Sequence, residues 1–252
     1  MTAVANAQDD PGFRLKLVPL LVVAALGFGL PYLAAYAAFF SSKAFHTPSP
    51  YGATLPWLYA HHAFQLVFGL IAIAIVKRFV PADYGLHVPR GKTYIGAAVV
   101  WGIFFGVLMT VVDYAPQLLH HVRPDLGFKL TTPNVAGWLF FEGVYVGPTE
   151  EIPFRALLVT YLAATMPGTL RLGRFRMNWA GIVVALIFAL LHATNFSLRA
   201  WPLALGQQIY AFALGVFYAY CLEKSRSIVA PIIGHNVGDF VEYAIAIAWV
   251  AA

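Results

Sequence analysis

Seven runs of about 20 predominantly apolar residues, separated by short polar loops, recur along the 252-residue chain. A helix of that length spans the hydrocarbon layer of a bilayer, and only helices and closed barrels satisfy their backbone polar groups there. The runs lie at about Leu17–Phe40, Trp57–Val76, Tyr94–Val112, Val135–Tyr161, Trp179–Phe196, Leu203–Cys221 and Ile228–Val250. The fold class this predicts is all-α, a polytopic membrane helical bundle of about seven transmembrane helices, with an eighth if the last run breaks near Gly238. Only 11% of residues are charged, against about 25% in soluble domains. The chain reads as a single integral membrane domain, 1–252, in which residues 1–134 supply the first three helices and residues 135–252 the core helices.

The formal net charge of +5 is distributed by topology. With the N-terminus cytoplasmic, Arg14, Lys16, Lys77, Arg78, Arg90, Lys92, Arg171, Arg174, Arg176, Lys224 and Arg226 fall on one side, and only Lys43, Arg123, Lys129 and Arg199 on the other. That asymmetry satisfies the positive-inside rule. The basic residues are expected to meet lipid headgroups, and no nucleic-acid motif is present. Met1–Pro11 lacks the character of a signal peptide, so the first run is expected to be retained, kinked at Pro31. Ser41–Pro56 and Ala115–Pro133 read as loops, and the Asp83–Leu86 stretch as a compact polar turn. Cys221, the single cysteine, excludes an intramolecular disulfide and any CxxC motif.

Against this background Pro148–Arg155 stands out, because it places Glu150, Glu151 and Arg155 inside the fourth apolar run. Charge at bilayer depth is costly unless paired or hydrated, so it marks either a functional site or a structural knot of charges that ties helices together. Residues four apart share a helix face, so Glu151 and Arg155 can pair, while Glu150 is turned about 100° away and stays free for chemistry. Pro153 deletes a backbone donor and would clash with the Thr149 carbonyl. One resolution is a break, with Thr149 capping a new helix that carries both glutamates in its first turn. Two further runs hold buried polar groups. Phe188 lies one turn before His192, where its ring can fix the imidazole, and His235 and Asp239 share one face of the last run. An acidic partner on one imidazole nitrogen leaves the other for a substrate or water.

Glu150-Glu151-x-x-x-Arg155, Phe188-x-x-x-His192 and His235-x-x-x-Asp239, in this order, resemble the three motifs of the CPBP family of intramembrane proteases, which includes CAAX prenyl endopeptidases and bacteriocin-processing or immunity proteins. The resemblance covers about Glu150 to Asp239. It implies an all-helical membrane peptidase that depends on glutamate and has no obligatory catalytic metal. Glu150 would be the general base that activates water, supported by Glu151 and Arg155. His192 would position or polarise that water, and His235 and Asp239 would stabilise the oxyanion. Two departures are Ala156, where many members have glycine, and Pro153 within the first motif.

Counted at about 1.5 Å per residue from the cytoplasmic ends, His192 lies about 20 Å deep and His235 about 10 Å. The motifs share one site only if the helices are shifted or tilted, or if the helix boundaries move. Glu142, Phe188 and Asn195 are candidates for a supporting layer, and Glu242 and Tyr243 for the cavity wall. The pairs His61–His62 and His120–His121 lie near run ends, where polar interfacial residues are ordinary.

The leading expectation is thus an intramembrane endopeptidase that cleaves near the C-terminus of a prenylated, lipidated or membrane-associated peptide or protein. Its partners would be that substrate and membrane lipids. Its location would be the inner membrane of a prokaryote or the endoplasmic reticulum of a eukaryote. No cofactor is expected. Zinc held by Glu150, His192 and His235 is disfavoured, because the HExxH spacing is missing. A non-catalytic scaffold or immunity protein that binds a membrane peptide is the alternative from another class. A proton-coupled transporter is set back by the lack of an internal repeat.

Overall fold

The computed structural model describes residues 15–44, 55–173 and 175–252. The polar segment Met1–Pro11, most of the expected loop Ser41–Pro56, and the topology charges Arg14 and Arg174 lie outside the described residues, as does the side chain of Lys43.

Helix α1 (Leu17–Ala44) carries Pro31 within it and continues past Ser41, where a loop was expected. Helices α2 (Leu55–Val76) and α3 (Ile95–Asp113) follow. The segment expected as a loop after α3 contains a short helix, α4 (Ala115–His120), with Pro116 in its first turn. Helix α5, residues 132–165, contains the first motif. Helix α6 (Trp179–Leu191) runs on as a 3₁₀ turn, His192–Ser197, and is followed by α7 (Trp201–Ser225) and α8 (Val229–Ala251). The protein is a helical membrane bundle. Among the described residues five helices, namely α1, α2, α3, α7 and α6 with its 3₁₀ turn, are long and apolar enough to cross a membrane. The other two expected spans, α5 and α8, carry the motif charges that dilute their apolar character. Helix α8 passes through Gly238 without interruption, so the eighth span does not form.

The basic connector before α6 is more ordered than expected. Thr169–Leu172 (β1) and Phe175–Asn178 (β2) form an antiparallel hairpin. Alternation accounts for it. Leu170 faces Met177 and Leu172 faces Phe175 on one side, while Arg171 faces Arg176 on the other, the period-2 pattern of a half-buried strand pair. Gly173 takes the turn with φ +58, a conformation that glycine adopts without steric cost. Asn178 caps α6 by accepting a hydrogen bond from the Ala180 amide at 2.7 Å.

Pro153 does not break α5. The helix widens to π geometry over Ile152–Val159, as it also does over Phe141–Tyr145. Thr149 is therefore not a cap. It is buried in the helix interior, its hydroxyl donating to the Val146 carbonyl at 2.7 Å. Without an N–H at position 153, the Thr149 carbonyl lacks its usual partner within the helix. Gln65 on α2 supplies one, its Nε2 donating at 3.3 Å. One turn further, Gly69 makes room for the proline ring, since a Cβ there would come within 3.1 Å of Pro153 Cγ.

Helix α8 is set by small residues. A Cβ on Gly102 of α3 would lie 2.7 Å from the Gly234 carbonyl, and one on Gly106 would lie 2.5 Å from that of Gly238. Two Gly-x-x-x-Gly faces thus bring the backbones into direct contact, the packing that small residues permit between membrane helices. The start of α8 is tucked under the loop after α2. The Ile228 amide donates to the Gly85 carbonyl at 3.0 Å and the Ser227 hydroxyl to the His87 carbonyl at 2.5 Å. That loop is itself braced by Asp83, which accepts from the Gly85 amide at 3.0 Å and stands 3.0 Å from His87 Nε2.

Candidate active site

Glu151 and Arg155 are fully buried, with Arg155 Nε 3.2 Å from Glu151 Oε2 as an ion pair. The guanidinium lies over the Phe188 ring at 4.3 Å and near the Tyr218 ring at 5.6 Å, where the aromatic faces favour the cation that water would otherwise solvate. The other Glu151 oxygen, Oε1, is 2.7 Å from His235 Nδ1. A carboxylate only accepts, so Nδ1 donates there and the ring orientation is fixed. Tyr218 stacks on the ring, with centroids 5.7 Å apart and planes 14° apart.

His235 Nε2 faces the open side of the site. It is 3.2 Å from Asp239 Oδ2 and 3.7 Å from Glu150 Oε2. The partner that locks the imidazole from behind is thus Glu151, whereas Asp239 shares the outward nitrogen. The second Glu150 oxygen, Oε1, is 4.0 Å from Nδ1 of His62, a buried residue of α2. Both separations exceed hydrogen-bond length. The Glu150 carboxylate therefore sits between two imidazoles with its lone pairs uncommitted to either.

His192 begins the 3₁₀ turn after α6. Its Nδ1 is 3.1 Å from the Phe188 carbonyl, so Nδ1 is the donor and Nε2 carries the lone pair. The Phe188 ring meets the imidazole edge to face at 5.4 Å and also contacts the His235 ring at 6.3 Å. His235 is therefore level with Phe188, one turn short of His192. Helices α6 and α8 begin within a residue of the expected positions. The depth mismatch is absorbed by a shift of α8 beneath the loop, not by a change of boundary.

Glu150, His192, His235 and Asp239 line one cavity of about 370 Å³, together with Glu142, Phe188, Tyr218, Glu242 and Tyr243. Glu142 is buried and lines the same cavity wall as Tyr243. Asn195 stands behind the wall, its amide donating at 2.5 Å to Oε1 of Gln207, which lines the same cavity. A second cavity, of about 250 Å³, reaches Glu150 and His192 from the other flank, between Pro31 and Tyr32 of α1 and His61 and Gln65 of α2. It shares Tyr32, Ala35 and Thr194 with a wider space of about 620 Å³ lined also by Tyr36, Phe39, Trp57 and Leu198. Among the described residues no three His, Cys, Asp or Glu side chains are placed to hold a metal ion.

Gln65 and Tyr218 carry no sequence-based expectation, His62 reads from the sequence as an interfacial residue, and Thr149 reads as a helix cap. A signal is present for His62 and Gln65, since His62, Gln65 and Gly69 recur at spacings of three and four within an apolar run. That is one helix face with polar and small residues aimed at a neighbour.

Comparison with known proteins adds one match. Residues 132–241 fit the model of the family described as type II CAAX prenyl endopeptidase Rce1-like. No curated protein and no solved structure matches the chain. The matched segment runs from the start of α5 into α8 and carries all three motifs. Over residues 132–241 the chain is therefore similar to the type II CAAX prenyl endopeptidase Rce1-like family.

Proposed function

We propose that this protein is an intramembrane endopeptidase in which Glu150 activates water for attack on a peptide bond near the C-terminus of a lipidated or membrane-associated substrate. The observation that carries the reading is the Glu150 carboxylate, poised 3.7 Å from His235 and 4.0 Å from His62 at the wall of a polar cavity. Water held between Glu150 and His192 Nε2 adds to the scissile carbonyl carbon, and its proton passes to Glu150. The carbonyl π electrons move onto oxygen, and the resulting oxyanion accepts a hydrogen bond from His235 Nε2. Asp239 keeps that nitrogen protonated, while Glu151 and Arg155 hold the ring still. Collapse of the intermediate breaks the C–N bond, and the leaving amine takes the proton back from Glu150. A positioned base contributes on the order of 10²–10⁴ in rate, and an oxyanion donor about 10²–10³.

The second cavity supports a substrate with an apolar chain, because its aromatic lining leads from Glu150 towards the half-exposed Tyr32 and Tyr36 on the lipid side. The basic residues Lys16, Lys77, Arg78, Arg176 and Lys224 support a cytoplasmic N-terminus. The test is cleavage of a farnesylated C-terminal peptide by protein in proteoliposomes, with and without chelator, and with the cut site mapped by mass spectrometry. Wild type should cleave equally in chelator, and Glu150→Gln should lose at least about 100-fold. Undiminished cleavage by Glu150→Gln would remove the base from the scheme.

A further inference from the structure

We propose that His62 is a positioning residue for Glu150, supplied by a helix outside the segment that carries the three motifs. The inference rests on Glu150 acting as the base. Its starting point is the amide hydrogen missing at Pro153. The orphaned Thr149 carbonyl takes a hydrogen bond from Gln65, and the proline ring fills the space above Gly69. These two contacts set the register of α2 against α5, and His62, about one turn before Gln65, then falls beside Thr149 and Glu150. His62 Nδ1 is 2.9 Å from Thr149 Oγ1. The single hydroxyl hydrogen of Thr149 is already given to the Val146 carbonyl, so Oγ1 must accept and His62 Nδ1 must carry the hydrogen. That N–H lies 4.0 Å from Glu150 Oε1, on the side of the carboxylate opposite His235. The ring is held edge to face against Phe141 at 5.0 Å and 89°, and it is buried.

His62 thus holds a fixed polar N–H, given to Thr149 Oγ1, 4.0 Å from the Glu150 oxygen that His235 does not face. A rotation of the Glu150 carboxylate that carried its lone pairs away from the polar cavity would lose this neighbour. The imidazole acts through Thr149 and by its field on Oε1, with no contact to the substrate.

The experiment measures kcat and KM on the farnesylated peptide for His62→Ala, His62→Asn and Thr149→Val, beside Glu150→Gln and the thermal stability of each variant. Asparagine keeps an N–H where Nδ1 presents one. His62→Ala should lower kcat by about 100-fold, the scale of a misplaced reacting group, with KM unchanged. His62→Asn should regain at least about a tenth of the wild-type kcat, and Thr149→Val should resemble His62→Ala. The proposal is overturned by a wild-type kcat in His62→Ala or Thr149→Val. It is equally overturned if His62→Asn loses as much as His62→Ala while both unfold at lower temperature, the signature of packing alone. Activity retained by Glu150→Gln, or no cleavage by wild type, would overturn the underlying reading and this inference with it.

Discussion

The buried pair of Glu151 and Arg155 allows charge to be separated from hydrogen bonding in one substitution. Glu151→Gln keeps the side-chain shape and an oxygen that can still accept from His235 Nδ1, now 2.7 Å away, but it removes the negative charge 3.2 Å from Arg155 Nε. Both residues are 0% exposed, so water cannot take over the compensation. Breaking one partner out of a fully buried pair leaves an uncompensated charge, at a cost of about 3–5 kcal/mol. The rings of Phe188 and Tyr218 around the guanidinium offset a fraction of this, on the order of 1–2 kcal/mol, so the net loss should be about 1–4 kcal/mol, centred on about 2.5. Replacing Arg155 as well, in Glu151→Gln/Arg155→Met, removes the orphaned charge and fills the space with apolar atoms. Such replacements are neutral or stabilising in several proteins. The assay is reversible unfolding in mixed micelles under increasing denaturing detergent, read for wild type, both single variants and the double. The single Glu151→Gln should be the least stable, with the double variant recovering most of the loss. A single variant within about 1 kcal/mol of wild type, or a double variant less stable than Glu151→Gln, would refute the claim that Arg155 depends on Glu151 for its charge balance.

Two other outcomes follow from the packing and from the loop over α8. Gly106→Leu should push α8 off α3, because its Cβ alone would stand 2.5 Å from the Gly238 carbonyl. The expected results are a loss of about 1–3 kcal/mol in stability and disproportionate loss of cleavage as His235 and Asp239 move. Gly96→Leu, where a Cβ meets open space, is the control. In the loop, hydrogen bonding to the Val88 carbonyl and then to Asp83 raises the His87 pKa, and that hydrogen bond from His87 lowers that of Asp83. The raised histidine contributes fully below its unfolded value and is lost as pH rises through its folded value. The lowered aspartate contributes above its unfolded value and is lost as pH falls through its folded one. Protection of the Gly85 amide, taken as exchange relative to its intrinsic rate at each pH, should therefore be greatest between about pH 4 and pH 6.5, and His87→Ala should flatten the profile.

The helical class and the motif contacts within single helices were legible because they follow from spacing alone. Glu151 and Arg155 are four apart and pair, and Phe188 reaches His192 across one turn. What lay beyond the sequence was which helix faces meet. That His235 gives Nδ1 to Glu151 and Nε2 to Asp239 depends on how α8 slides beneath the loop after α2. His62 looked like an interfacial residue because its role exists only once the Thr149 carbonyl is orphaned and Gln65 answers it. The hairpin was overlooked for a different reason. Its alternation of leucine and arginine is visible in the sequence, but arginines in a short connector read equally well as loop charge beside a membrane span. Likewise the proline in the first motif pointed to a break when counted as a donor loss alone, whereas a wider turn accommodates it.

That wider turn has an evolutionary corollary. Residues after Pro153 keep their angular positions only because the backbone there spends an extra residue on its circuit, so the orientation of Arg155 is encoded in a ring closure several ångströms away. A lineage that exchanged this proline for a residue with a free amide would be offered the ordinary spiral again, and with it a rotated downstream half. Gln65 and Gly69 would then lose the features they accommodate. The three positions should drift together or not at all.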